Sequence, residues 1–204
     1  RPDAPAPRCG KVRAPPLATM ALKSTVYKAQ LQIADMDRGL YADHALTLAR
    51  HPSETEERLM VRLLAFALQV PPDDRDGALQ FARGLSDADE PALWRHALAG
   101  ELRHWIDVGQ PDERRLQRAC ARAERVTVYS YGATVASWWA GVARGVARLD
   151  RLAVWRLPAD QSQALAVMAE RTMQLQVTVQ DGHCWVGNHA TSVELQPLAL
   201  HPAG

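Results

Sequence analysis

The stretch Gly100–Ala123, GELRHWIDVGQPDERRLQRACARA, decides how this chain is read. Its first half alternates with period two, placing Leu102, His104, Ile106 and Val108 on one face of a strand and Arg103, Trp105 and Asp107 on the other. Aspartate disfavours strands, so Asp107 needs a reason to stand in a β-rich run. Pro111 ends the strand and precedes a helix whose first turn carries Asp112 and Glu113, the sign the helix dipole favours. Arg115, Arg118, Arg122 and Arg125 then follow at spacings of 3, 4 and 3, which is one helical face. An acidic strand end beside a basic helix can hold a metal next to a phosphate. The same residues also read as an edge-strand aspartate and a solvated arginine face.

Outward from this centre the chain alternates strands and helices. Thr25–Ile33 is a half-buried strand with Tyr27, Ala29, Leu31 and Ile33 inward, and Leu40–Arg50 returns as its hairpin partner. Ser53 with Glu56 forms a capping box ahead of a helix in which Leu59, Leu63, Phe66 and Val70 repeat, widened by Met60, Leu64 and Ala67. Ala78–Leu85 is a short strand and Val126–Tyr131 an inner one. Ala133–Leu149 is a helix, Leu152–Leu157 a strand and Pro158–Glu170 a helix. Met173–Gln180 turns at Asp181-Gly182 into His183–Gly187, and Val193–Leu200 follows. This predicts a mixed α/β fold, one domain over residues 20–204, with a mixed β-sheet flanked by helices.

The 204 residues suffice for one full core, and 47% hydrophobic with 23% charged residues is ordinary for a globular protein. A net charge of +1 gives no global attraction to nucleic acid, so such a surface must be a local patch. The lysines are confined to Lys11, Lys23 and Lys28. Cys9, Cys120 and Cys184 are odd in number and form no CxxC pair, which predicts a reducing, cytoplasmic setting without a zinc site or disulfide framework. No apolar run approaches the roughly 20 residues of a membrane helix. The Pro-rich residues 1–19 read as a disordered leader or extension, with Met20 as a start. Phosphate-loop, dinucleotide, HExxH and GxSxG signatures are absent, and Trp138-Trp139 reads as helix packing. The chain is expected to act as a monomer.

SETEERLMVRLLAFAL from Ser53, DEPALW from Asp89, WIDVGQPDERRLQRAC from Trp105, the Trp138-Trp139 pair and RTMQLQVTVQDG from Arg171 occur in that order. With these motifs the chain, over about residues 20–200, resembles the YaeQ family of bacterial proteins. Their fold is similar to the PD-(D/E)XK nuclease core. In that core a helix glutamate, an acidic residue and a strand (D/E)xK converge on Mg²⁺, a hard ion that takes oxygen ligands. The ion then activates water against a phosphodiester. Carried over by position, the resemblance implies metal ligands Asp107, Glu90 and Glu57, with Glu54 and Glu56 as the other helix candidates and Asp89 beside Glu90. The catalytic set becomes Asp107, Glu90 and Gln110, and the nucleic-acid contacts Arg115, Arg118, Arg122 and Arg58. Two departures stand out. Ala92 follows Pro91 where the motif has Asp, and Gly109 stands two residues after Asp107 where it has Lys. Gln110, Arg58, Arg62 and Lys28 are the available replacements, but arginine stays protonated and glutamine can only orient water. Two functions are therefore expected: a Mg²⁺-dependent phosphodiesterase acting on nucleic acid, or a degenerate relative that binds nucleic acid or protein without cleavage.

Overall fold

Alternation in the first hairpin is obeyed residue by residue. In the computed structural model, β1 (Thr25–Asp35) buries Tyr27, Ala29, Leu31 and Ile33 and pairs antiparallel with β2 (Leu40–Arg50). The model describes residues 24–83, 85, 87 and 89–202; the expected leader over 1–19, Met20 and Cys9 lie outside the described residues. Helix α1 (Glu56–Gln69) begins where Thr55 accepts the Arg58 N–H through its side chain, so the cap is Thr55 and not Ser53. Glu56 is thereby the first helical residue, two positions short of a box with Thr55. Residues 59–67 of α1 are all buried, Arg62 among them. The widened apolar stripe makes this helix expected to be among the most buried, and it is; the burial of Arg62 is what the stripe does not foretell.

Next come β3 (Leu79–Phe81), shorter than the strand expected over 78–85, and the unforeseen β4 (Leu93–His96). Gly77 makes their approach possible: at φ +89 it passes the His96 carbonyl so closely that a Cβ would lie 1.7 Å from the oxygen. The central strand β5 (Leu102–Val108) leads into α2 (Glu113–Arg122), capped by the Asp112 side chain on the Arg115 N–H. Arg125 belongs to β6 (Arg125–Ser130) rather than to the basic helix face. Then follow α3 (Val135–Val146), β7 (Leu152–Arg156), α4 (Ala159–Ala166), β8 (Thr172–Gln180) and β9 (His183–Gly187). The closing stretch Val193–Leu200, given no element from the sequence, falls in two strands, β10 (Ser192–Leu195) and β11 (Leu198–His201).

The strands form two mixed sheets where one was expected. The first runs β10-β9-β8-β1-β2, with β1 and β8 parallel; the second runs β11-β7-β6-β5-β4-β3, with β5, β6 and β7 parallel. One core joins them. Leu31, Leu175 and Val177 of the first sheet, Leu59, Leu63 and Phe66 of α1, and Ile106 and Tyr129 of the second share a single buried cluster. A second cluster on the other face of β5–β7 takes in Trp105, Val126 and Val154 with Leu116 and Ala119 of α2 and the half-buried Trp138 and Trp139. From His104 to Val108 β5 is buried on both faces, and Asp107 is the one acid in it.

Candidate functional site

That acid sits at the carboxyl end of β5, in the place where parallel strands leave a crevice beside the following helix. Asp107 is 4% exposed. Its Oδ2 accepts from Trp105 Nε1 at 2.9 Å and from Arg115 Nε at 2.8 Å, and its Oδ1 accepts from Arg115 Nη2 at 2.8 Å. The pair is bidentate, the strongest geometry open to arginine and carboxylate. The hydrogen bond to Asp107 raises the already high pKa of Arg115 against the opposing effect of burial. Arg115 Nη2 also donates to the Glu90 carbonyl at 2.8 Å, tying the acidic loop to α2. The guanidinium groups of Arg115 and Arg122 both lie against the Trp105 ring, 5.5 and 5.3 Å from its centroid.

A cleft of about 330 Å³ opens here, lined by Asp107, Val108, Gln110, Pro111 and Arg115 with Arg58, Leu85, Asp87 and Glu90. Five of the residues read from the sequence thus meet: Asp107, Glu90, Gln110, Arg58 and Arg115. Gln110 is held by its amide nitrogen to the Tyr131 carbonyl at 3.0 Å and the Thr134 hydroxyl at 2.9 Å. Glu90 pairs with Arg83, whose backbone N–H it accepts at 2.8 Å and whose Nη2 lies at 3.0 Å. Arg118 and Arg122 face a neighbouring shallow groove with Asp89 and Trp105; Arg118 is two-thirds exposed and 3.9 Å from the Asp89 carboxylate.

Glu57 does not line the cleft; it accepts from Ser162 Oγ of α4 at 2.7 Å. Glu56 is exposed beside Arg50. The buried glutamate is Glu54, ahead of the helix, accepting from Arg58 Nη1 at 2.7 Å and from Arg62 Nη1 at 2.8 and 2.9 Å. Lys28 projects from the solvent-facing side of β1, opposite to the face that packs on α1, and supplies no lysine to the cleft. Asp87 joins the cleft without having been singled out, because an acidic loop carries no periodicity to distinguish its members.

Asp107 and Glu90 are each paired with a guanidinium, and Asp87 accepts the Asp89 backbone N–H at 3.0 Å. Among the described residues no three His, Cys, Asp or Glu side chains come together as a metal-ligand group. Mg²⁺ needs several free hard oxygens at about 2.0–2.1 Å, so the residues as arranged do not fit it. Nor is any described helix long and apolar enough to cross a membrane.

Fold and site together define a mixed α/β domain of two mixed sheets, with an arginine-bolted acidic cleft at the end of its parallel strands. The chain belongs to the YaeQ family: the family model described as YaeQ protein matches residues 20–197. It is 44% identical over 181 residues to "Uncharacterized protein YaeQ" of Salmonella typhi and 42% identical to that of Escherichia coli K12, covering 88% of this chain and 97% of each relative. Among solved structures it is similar to the YaeQ protein of Xanthomonas axonopodis pv. citri, with TM-score 0.83 and 47% identity over 88% of this chain and 99% of that one. The YaeQ protein of Pseudomonas syringae superposes with TM-score 0.82 at 39% identity, over 88% of this chain and 97% of that one.

Proposed function

We propose that this chain is a non-catalytic relative of the nuclease fold that binds the phosphate backbone of a nucleic acid along the β5–α2 cleft. The observation that carries the reading is the bidentate Arg115–Asp107 pair. It occupies the carboxylate that a nuclease would offer to metal, and it holds a planar guanidinium fork in position at the cleft wall. Arg118 and Arg122 extend that wall at helical spacing, and Arg83 at the acidic loop is three-quarters exposed. With net charge +1, binding depends on this patch and not on the global field.

Fluorescence anisotropy of a labelled single-stranded oligonucleotide and of its duplex, across a salt series, tests the reading. Each phosphate contact releases counterions, so Arg118→Gln/Arg122→Gln should weaken binding alike for all sequences and flatten the log–log salt slope by about 1.4–1.8 units. Equal affinity and slope in wild type and variant would reduce the arginine stripe to a solvated helix face. Cleavage of any nucleic acid with Mg²⁺ or Mn²⁺, lost in Asp107→Ala, would overturn the non-catalytic reading in favour of a metal-dependent phosphodiesterase.

A further inference from the structure

The outward face of the first sheet is chemically unlike the cleft. Strand alternation sends Gln30 and Gln32 of β1, Gln174 and Gln176 of β8 and Asp43 of β2 to solvent, and all five are exposed. Pairing arranges them in rows. Asp43, Gln32, Gln176 and Gly187 lie side by side across β2, β1, β8 and β9, and Ala45, Gln30 and Gln174 form the next row. On the other side the row is Tyr41, Ala34, Thr178 and Trp185, two small residues between two aromatic ones. At about 4.8 Å per strand, three intervals separate the aromatic pair by roughly 14 Å.

Gln176 Nε2 donates to Gln32 Oε1 at 3.2 Å, so these two amides are already aligned across β1 and β8. Asn188 and His189, beyond β9, close one side of a trough of about 600 Å³ that includes Leu31 and Leu175 of the sheet. Among the described residues no arginine or lysine lines this trough; Lys28 is the next outward residue along β1, beyond it. Without cationic walls the trough does not suit phosphate, and with its side chains mainly amides it does not suit a lipid or an amphipathic helix. Each amide offers donor and acceptor together without charge. That matches a ligand whose neighbouring hydroxyls also donate and accept, and whose C–H faces can reach, beside the trough, Tyr41, which is 70% exposed, and the half-buried Trp185, whose ring stacks on His183.

We propose that this trough binds a neutral oligosaccharide, its hydroxyls paired by Gln30, Gln32, Gln174 and Gln176 and its sugar rings flanked by Tyr41 and Trp185. The site is independent of the β5–α2 cleft, and neither reading needs the other.

Two-dimensional NMR of the full chain, with the glutamine side-chain amides assigned, is the test; the probes are maltotriose and, separately, triacetylchitotriose. Expected are saturable shifts confined to these amides and their row neighbours with at least one of the two. Gln32→Ala/Gln176→Ala removes two of the four hydrogen-bonding amides, so affinity should fall about tenfold. Tyr41→Ala should weaken binding as well, and both variants should keep the wild-type Tm because the side chains removed are exposed. No saturable shift with either sugar at about 10 mM, where a millimolar site is nearly filled, overturns the proposal. So does undiminished binding by the double variant. Dimerisation by sedimentation that protects these amides, with no response to sugar, would assign the face to a second copy of the chain instead.

Discussion

Deleting the Asp107 carboxylate should cost far more when Arg115 stays than when both are replaced. Asp107→Ala leaves the Arg115 guanidinium, 23% exposed at its side chain, without its bidentate partner and leaves Trp105 Nε1 without an acceptor. Breaking one side of a fully buried pair costs about 3–5 kcal/mol. Partial exposure of Arg115 lowers this, and the stranded indole N–H adds about 1 kcal/mol. The net expectation is roughly 2–4 kcal/mol, a fall in Tm of about 5–15 °C for a chain of this size. Asp107→Leu/Arg115→Met removes both charges at similar volume, so its loss should be smaller than the single variant's, because a buried pair is costly to desolvate in the first place. Urea unfolding of wild type, both single variants (Asp107→Leu and Arg115→Met) and the double closes the cycle, with an expected coupling of about 1–3 kcal/mol. A coupling indistinguishable from zero would mean that the pair neither holds the cleft together nor explains an acid inside β5.

Leu63→Ala and Phe66→Ala should each destabilise by about 2–5 kcal/mol in urea melts, since both side chains are nearly inaccessible and Phe66 stacks on Phe81 at 5.4 Å. Thr55→Ala should cost about 1 kcal/mol through the lost cap while Ser53→Ala is near neutral; the reverse ranking would restore the Ser53 box. His104 is held neutral by burial, reinforced by Arg125 and Arg95, so its pKa falls from 6.5 to about 3. Its contribution is complete well above pH 6.5 and drains away as the unfolded chain protonates, with a slope that grows from about half of 1.4 kcal/mol per unit at pH 6.5 to nearly all of it at pH 5, before most carboxylates titrate. His104→Leu/Thr127→Val, which removes the ring and the hydroxyl it bonds at 2.9 Å, should flatten that slope in pH-dependent denaturation.

Local elements were legible because they rest on period and turn chemistry. The faces of β1 and of β5 from His104 to Val108, the buried stripe of α1 and the Asp181-Gly182 turn, with φ of 53° and 75°, follow from neighbours in sequence, whereas Leu102 packs with the Trp105 cluster beyond a register shift. The division into two sheets was not legible. It depends on β1 choosing β8 as a parallel partner, a pairing with no short-range signature. At the site, Asp107 announced itself as a misfit, but a buried carboxylate is satisfied equally well by a metal or a guanidinium. One clue did stand in the chain. Arg115 occupies the first turn of α2, where the helix dipole disfavours a cation. An acid misplaced in a strand and a base misplaced at a helix start, eight residues apart, cure each other's faults. Glu54 was harder to see, because its burial comes from Arg58 and Arg62 folding back over it from the helix it precedes.

The parallel β1–β8 ladder also sets a clock for biosynthesis. Lys28 pairs with Thr172, so 172 − 28 = 144 residues must be added after the first strand before its neighbour exists. At about 5–20 residues per second that delay is roughly 7–29 s. Throughout it, the β1–β2 hairpin carries Tyr27, Leu31 and Ile33 on a face with no finished sheet and an open edge along β1. Two strands alone are marginal in water, and an open apolar edge invites pairing with other chains. The nascent chain is therefore most exposed to aggregation while the second sheet is being made. Its need for a holding chaperone should end when β8 leaves the ribosome.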